Sequence, residues 1–159
     1  MPYRLVIFDF DGTLADTFPW FLRVVNTVAD RFRFKRIEEH DVEFLRGCSG
    51  REIVKHLGVP PWKMPLIARH MRVLAAQDID LIRLFDGVAL ILRRLSEEGF
   101  RLAIVSSNDE RNVRRVLGAE LAGLVHQYEC GASIFGKAAK FQRVLRSSGI
   151  PATDTICIG

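Results

Sequence analysis

Residues 4–17 are Arg4-Leu5-Val6-Ile7-Phe8-Asp9-Phe10-Asp11-Gly12-Thr13-Leu14-Ala15-Asp16-Thr17, and the rest of the chain is interpreted from this stretch. A continuous apolar run that ends at a polar turn is typical of a strand buried on both faces of a parallel α/β sheet. Ligands bind beyond the carboxyl ends of such strands, so we expect Asp9 and Asp11 to project into a crevice there. The alternative is that the acidic pair and Gly12 only form a turn.

Composition limits the class of protein. The chain has 159 residues, of which 48% are hydrophobic and 26% are charged, and this is enough for one well-packed core. No apolar run is long enough for a membrane span, and the N-terminus does not have a signal-peptide pattern, so we expect a cytoplasmic protein. The three cysteines have no metal or redox spacing and are predicted to be buried thiols: Cys48, Cys130 and Cys157.

The formal net charge is +4, which could indicate either a nucleic-acid partner or an anionic small molecule. The basic residues lie in segments with the pattern of amphipathic helices, which favours solvated helix faces. No helix-turn-helix, zinc-finger or aromatic RNA-binding motif accompanies them, so nucleic-acid binding is not expected.

Residues 17–84 have helical periodicity throughout. Apolar residues recur at helical spacing over 17–34, and Ser49-Gly50-Arg51-Glu52 has the pattern of a capping box at the start of a later helix. We therefore predict a small helical bundle at 17–84, inserted into an α/β core made of residues 1–16 and 85–159. The predicted fold is α/β, with a Rossmann-like parallel sheet.

The second part of the core repeats the strand-then-polar pattern. Residues 100–105 predict a strand that ends at Ser106, and Ser107 to Glu110 have capping-box spacing before a helix that we expect to end at Gly118. Because a helix N-terminus beside a hydroxyl favours anions, this is a candidate phosphate site, although serine also commonly only caps a helix. Further strands are predicted at 124–129 and 155–159.

Residues 131–137 allow two interpretations. Gly131 to Lys137 have the Gly-x-x-x-x-Gly-Lys spacing of a nucleotide-binding phosphate loop, but Ala138 replaces the hydroxyl residue that this motif needs for magnesium. The other interpretation is that Lys137 begins a helix and contributes a positive charge to the site at Asp9 and Asp11. Lys140, one turn later, is predicted to be solvated.

The order of these features resembles the haloacid dehalogenase-like superfamily, whose commonest members are magnesium-dependent phosphatases. Asp9-Phe10-Asp11-Gly12-Thr13 matches its first motif, Ser106 the second and Lys137 the third. The resemblance implies that Asp9 forms an aspartyl-phosphate and that Asp11 protonates the leaving group and then activates water. It also implies that Ser106 binds the phosphoryl group and that Lys137 reduces charge repulsion.

The resemblance also implies that the helical insertion is a cap and that Asp9 and Asp11 bind Mg²⁺. Substrate contacts are predicted for Thr13, Ser107, Asn108 and Arg46, although an arginine at this place is more often only an exposed residue at a helix end beside a glycine stop. The layout is most similar to phosphoglycolate phosphatase-like enzymes with a helical cap.

The acidic fourth motif of the superfamily would follow the strand at 155–159, where the sequence ends, so we expect a truncated chain. The predicted function is a Mg²⁺-dependent phosphatase of a small phosphorylated metabolite, acting as a monomer or homodimer. The alternative is a non-catalytic binding protein on the same fold, because the acidic metal-binding loop is missing.

Overall fold

The computed structural model describes residues 3–131 and 136–159. The chain divides into two compact units: the α/β unit, formed by residues 1–16 and 75–159, and the helical unit, formed by residues 17–74. Within the described ranges, no helix has both the length and the apolar character that a membrane span requires.

The α/β unit contains a parallel sheet of four strands. These are β1 (Leu5–Asp9), β4 (Arg101–Val105), β5 (Gln127–Glu129) and β6 (Thr155–Ile158), in the order β5-β4-β1-β6. Leu5 pairs with Arg101 on one side and with Thr155 on the other, so β1 is a central strand. The four predicted strands and the predicted α/β class are confirmed.

The core of the α/β unit explains why β1 and β4 are nearly continuous apolar runs. Their inward side chains are buried together with Val144 of α7 (Gly136–Ser148) and with Ile150. The other helices of this unit are α5 (Val88–Glu97) and α6 (Glu110–Leu124), which pack against each other. Strands buried on both faces require apolar residues at every position, which is the pattern that predicted them.

A two-stranded antiparallel pair corrects the predicted boundary after residue 84. β2 (Ala15–Asp16) pairs with β3 (Arg83–Leu84), and the helical unit ends at Leu74 rather than at residue 84. This pairing joins residues that are distant in the sequence, so no local periodicity could indicate it.

The helical unit consists of α1 (Phe18–Phe32), α2 (Val42–Arg46), α3 (Gly50–His56) and most of α4 (Met64–Gln77). Its core is a cluster of four buried residues with apolar neighbours packed against them: Val25, Ile37, Leu45 and Leu57. The predicted capping box of α3 is confirmed, because the Ser49 hydroxyl accepts from the Glu52 N–H and the Glu52 carboxylate accepts from the Ser49 N–H.

Two local predictions are wrong and one is confirmed. Asp109, not Ser107, caps α6 by accepting a hydrogen bond from the Arg111 N–H at 3.0 Å. The predicted end at Gly118 is confirmed, because Gly118 is non-helical at φ 75° and ψ 164°, and a second helical stretch follows it to Leu124. Cys157 is exposed on β6, at one edge of the four-stranded sheet, whereas Cys48 and Cys130 are only partly buried free thiols.

Candidate active site at the carboxyl ends of the parallel strands

The site is built on two adjacent strands. Asp9 is the last residue of β1 and pairs in register with Val105, the last residue of β4, which Ser106 follows. Because the strands are parallel, both polar ends lie at the same edge of the sheet. Gly12, at φ 76°, donates its N–H to the Ala15 carbonyl at 2.9 Å and turns the chain back after Asp11.

Asp11 and Ser106 are in direct contact. The Ser106 hydroxyl, which is fully buried, donates to Asp11 Oδ2 at 3.2 Å. Burial raises the pKa of the Asp11 carboxyl, and the neighbouring Asp9 carboxylate raises it further, while hydrogen bonds from Ser106 and Asn108 and the charge of Lys137 oppose the shift. A carboxyl with a raised pKa can keep a proton long enough to donate it, as a general acid must.

Asp9 is held from two directions. Its Oδ1 accepts the Phe10 N–H at 2.8 Å, and its Oδ2 contacts the ammonium group of Lys137. Lys137 is the second residue of α7 and is about half exposed, whereas the Asp9 side chain is mostly covered. The ammonium thus lies where an anionic ligand approaching Asp9 would meet a positive charge.

The loop after β4 is ordered by its own polar groups. The Ser106 hydroxyl accepts the Asn108 N–H at 3.0 Å, and Asn108 Oδ1 accepts from the Asp109 N–H at 2.8 Å and from the Asn112 side-chain amide at 3.2 Å. Asn112 is buried and was not predicted as part of this region. These bonds fix the position of the Ser106 hydroxyl relative to Asp11.

The structure therefore brings together Asp9, Asp11, Ser106 and Lys137. Of the predicted substrate contacts, Asn108 lies beside Ser106, and Ser107 is exposed in the same loop. Thr13 lies in the turn after Asp11 and donates its N–H to the Phe10 carbonyl at 3.3 Å. Within residues 3–131 and 136–159, neither the Thr13 nor the Ser107 side chain hydrogen-bonds to the four groups, so their predicted role stays a prediction.

Arg46 ends α2 in the helical unit and is exposed. Its guanidinium lies 5.0 Å from the centre of the Phe18 ring and 4.0 Å from the Glu43 carboxylate. These contacts describe a solvated arginine at a helix end, and its predicted contact with substrate stays a prediction.

The environment of Lys140 differs from the predicted one. It is 2% exposed rather than solvated, and its ammonium group donates to the backbone carbonyls of Ser106 and Gly131. Helical spacing could have indicated this position, because Lys140 lies four residues before the fully buried Val144 on α7. The nucleotide-binding interpretation of 131–137 falls mainly on residues 132–135, which lie outside the described residues.

Comparison with known proteins agrees with the family resemblance of the sequence motifs. The family model for haloacid dehalogenase-like hydrolases matches residues 6–159. A phosphoglycolate phosphatase from Synechococcus elongatus is 30% identical over 157 residues, which cover 98% of this chain and 74% of that protein.

Two solved structures show the same fold. CbbY from Rhodobacter sphaeroides, in complex with phosphate, superimposes with a TM-score of 0.73 at 19% identity, over 98% of this chain and 76% of that one. A haloacid dehalogenase-like hydrolase from Streptococcus pneumoniae gives a TM-score of 0.72 at 16% identity, and the superposition covers 98% of this chain and 75% of that one.

Proposed function

Because the chain belongs to the haloacid dehalogenase-like hydrolase family, we propose that it hydrolyses a small phosphorylated metabolite through an aspartyl-phosphate on Asp9. The predicted family membership and the predicted enzyme class, a phosphatase of this family, are confirmed. The observation that carries the proposed mechanism is the convergence of four groups, Asp9, Asp11, Ser106 and Lys137, at the carboxyl ends of β1 and β4.

In the first step, a carboxylate oxygen of Asp9 attacks phosphorus. A new oxygen–phosphorus bond forms, and the bond between phosphorus and the ester oxygen breaks. Asp11 gives its proton to the departing oxygen, a role that suits the raised pKa of its buried carboxyl. The Lys137 ammonium and the Ser106 hydroxyl offset the negative charge that accumulates on the phosphoryl oxygens.

In the second step, water hydrolyses the aspartyl-phosphate. Asp11, now ionised, takes a proton from the water as its oxygen attacks phosphorus. The bond between phosphorus and the Asp9 oxygen breaks, which releases inorganic phosphate and restores both carboxyl groups. Asp11 thus acts first as an acid and then as a base.

The carboxyl groups present are compatible with a Mg²⁺ ion. Mg²⁺ prefers oxygen ligands and commonly binds through one or two carboxylates together with substrate phosphate and water. Asp9 and Asp11 lie two residues apart at the end of β1, and after burial the Asp9 carboxylate is the next cause that raises the pKa of Asp11. Among the described residues, no group of three or more His, Cys, Asp or Glu side chains could hold a metal. Asp9 and Asp11 would be two of the ligands of the ion. When bound, the ion would supply charge neutralisation at the phosphate.

The first substrate to test is 2-phosphoglycolate, because the relative from Synechococcus elongatus is a phosphoglycolate phosphatase. Phosphate release should be measured for the wild-type chain with and without Mg²⁺. We expect Asp9→Asn to lower kcat by at least about 10³-fold, because it removes the nucleophile. Asp11→Asn should lower kcat by about 10²- to 10⁴-fold, because it removes the acid and base.

The matched control is Asp30→Asn in the helical unit. Asp30 forms an exposed ion pair with Arg36 at 2.6 Å, so its loss should leave kcat within twofold of wild type. Turnover by Asp9→Asn at the wild-type rate would refute the proposed nucleophile. Phosphate binding without turnover in the wild-type chain would instead support the non-catalytic alternative.

A further inference from the structure

Lys140 is a buried cation without a carboxylate partner in the part of the chain that the structure describes. It is 2% exposed, and no described Asp or Glu oxygen lies within 4.0 Å of its ammonium nitrogen. Lysine is rarely buried to this extent unless it is paired, because removing an ammonium from water is costly. The partners it has are two neutral carbonyl oxygens, those of Ser106 and Gly131.

Among the described residues, the direct partners of the Lys140 ammonium are therefore carbonyl dipoles, and the Glu129 carboxylate acts on it only from a longer distance. Burial lowers the pKa of its ammonium, and the nearby cations Arg143 and Lys137 also lower it, while Cys130 and Glu129 oppose the shift. The position favours an arriving anion, since a negative group bound at the Ser106 hydroxyl would supply the missing counter-charge.

Lys140 also ties together the two loops that border the site. The Ser106 N–H donates to the Glu129 carbonyl at 3.1 Å, and the Gly131 N–H donates to the Asn108 carbonyl at 2.7 Å. Lys140 adds a bond to each loop from α7 and so fixes the Ser106 backbone from a second side. The orientation of the Ser106 hydroxyl towards Asp11 depends on that backbone.

We propose that Lys140 is a second cation of the phosphate site, a positioning residue that acts through Ser106 by holding its backbone and by favouring an anion at its hydroxyl. This inference rests on the proposed phosphatase function and extends it to a residue with no assigned role. Lys137 contacts Asp9 directly from the solvent side, whereas Lys140 acts from within the core.

The test is a double-mutant cycle with Lys140→Met and Ser106→Ala, because methionine keeps the length of the side chain but removes the charge. The measured quantities are kcat and KM for 2-phosphoglycolate and the dissociation constant of inorganic phosphate from calorimetry. We expect Lys140→Met alone to lower kcat/KM and to weaken phosphate binding by at least tenfold. In a chain that already carries Ser106→Ala, Lys140→Met should change kcat/KM and the phosphate dissociation constant by less than threefold each.

The matched control is Lys63→Met in the helical unit. Lys63 is partly buried and, like Lys140, donates to a backbone carbonyl, that of Phe32 at 2.7 Å, so a general effect of losing such a bond would appear there. We expect its kinetic constants to stay within twofold of wild type. Equal losses for Lys140→Met with and without Ser106 would overturn the inference, as would wild-type phosphate binding in Lys140→Met.

One further variant keeps the result decisive. If Lys140→Met does not fold, Lys140→Arg takes its place: it keeps the charge and the donors and should bind phosphate within threefold of wild type, and a folded variant that binds tenfold more weakly would contradict the inference. Phosphate binding requires no turnover, so this inference can fail while Asp9→Asn still supports the proposed function.

Discussion

At the scale of one residue, the buried carboxyl of Asp11 opposes stability, as the acid proposed for the phosphatase reaction would. Its carboxyl is enclosed beside the Asp9 carboxylate, and burial is the main reason that its pKa is raised. In the folded state, the carboxyl therefore holds its proton at pH values where the unfolded chain has already lost it. Above that range, the folded protein must keep a carboxylate in a place that disfavours its charge.

We predict that Asp11→Asn stabilises the folded chain at neutral pH. Between the ordinary pKa of 3.8 and the raised value, the folded state binds more protons than the unfolded state, so wild-type stability falls as pH rises through this window. Asparagine has no such dependence. The increase in Tm over wild type should be absent near pH 3 and larger at pH 8, at about 2–4 °C for each kcal/mol gained. Thermal unfolding followed by circular dichroism measures it, and an increase of equal size at both pH values would contradict this explanation.

The environment of Lys137 could be predicted from the sequence, but that of Lys140 could not. Asp9, Asp11 and Ser106 could be predicted to meet because each ends or directly follows an apolar strand, and parallel strands bring their carboxyl ends to one edge. Lys140 was misjudged because a lysine on a helix is usually solvated, and its partners are backbone carbonyls from loops far along the chain. The sequence around Lys140 does not indicate which distant carbonyl groups its ammonium will meet.

The capping box of α3 is a test at the scale of one element. The Ser49 hydroxyl hydrogen-bonds to the Glu52 N–H, and the interaction with Ser49 holds the pKa of the Glu52 carboxyl below its usual value. Ser49→Ala should lower the free energy of unfolding by about 1 kcal/mol, whereas Ser49→Gly should cost only a few tenths. Urea denaturation distinguishes the two variants, and an equal cost for both would show that the cap contributes little. The pKa of Glu52, measured by NMR, should rise towards its ordinary value in both.

The end of β6 restricts the space beside Asp9. Ile158 pairs with Phe8, so Gly159 lies beside Asp9, and a Cβ atom added at Gly159 would be 2.7 Å from the Asp9 Cβ. Since real Cβ atoms do not approach so closely, Gly159→Ala must displace either strand β6 or Asp9. We expect kcat/KM to fall by about 10- to 100-fold, because small displacements of reacting groups are costly.

Gly123→Ala is the matched control for this substitution. Gly123 is exposed on α6, and a Cβ added there meets no atom within 4 Å. Alanine should raise the free energy of unfolding by about 0.5–1 kcal/mol and leave kcat/KM unchanged. Wild-type kinetics in Gly159→Ala would show that the strand end can move without disturbing Asp9.

The presence of helices and strands could be predicted from the sequence, whereas the residues at which they begin could be predicted less well. Periodicity alone indicated α1 and the strands of the parallel sheet, because burial on one stripe or on both faces determines residue type at each position. The N-cap of α6 was predicted wrongly because Ser107 and Asp109 both match an N-cap pattern, whereas the interruption of the helix at Gly118 was predicted correctly. Competition between neighbouring caps depends on the geometry of the preceding loop.

At the scale of the whole molecule, the division into units depends on contacts between distant residues. The helical unit ends ten residues before the predicted boundary, because β3 pairs with β2 and joins residues 83–84 to the α/β unit. The predicted role of the helical unit as a cap, the cytoplasmic location and the monomeric or homodimeric state stay predictions. These three properties depend on what the chain encounters in the cell, and for such properties the sequence provides only composition and charge.

The net charge of +4 gives a final prediction for the whole chain. A cationic protein attracts an anionic substrate over a distance that salt shortens, from about 30 Å at 0.01 M to about 8 Å at 0.15 M ionic strength. If binding of 2-phosphoglycolate is limited by encounter, kcat/KM should fall as sodium chloride is raised from 0.01 M to 0.3 M, while kcat changes little. Steady-state kinetics with 2-phosphoglycolate and with p-nitrophenyl phosphate provide the comparison. The first substrate carries an additional carboxylate, so its kcat/KM should fall more steeply, and equal slopes for both would exclude attraction by the net charge as the cause.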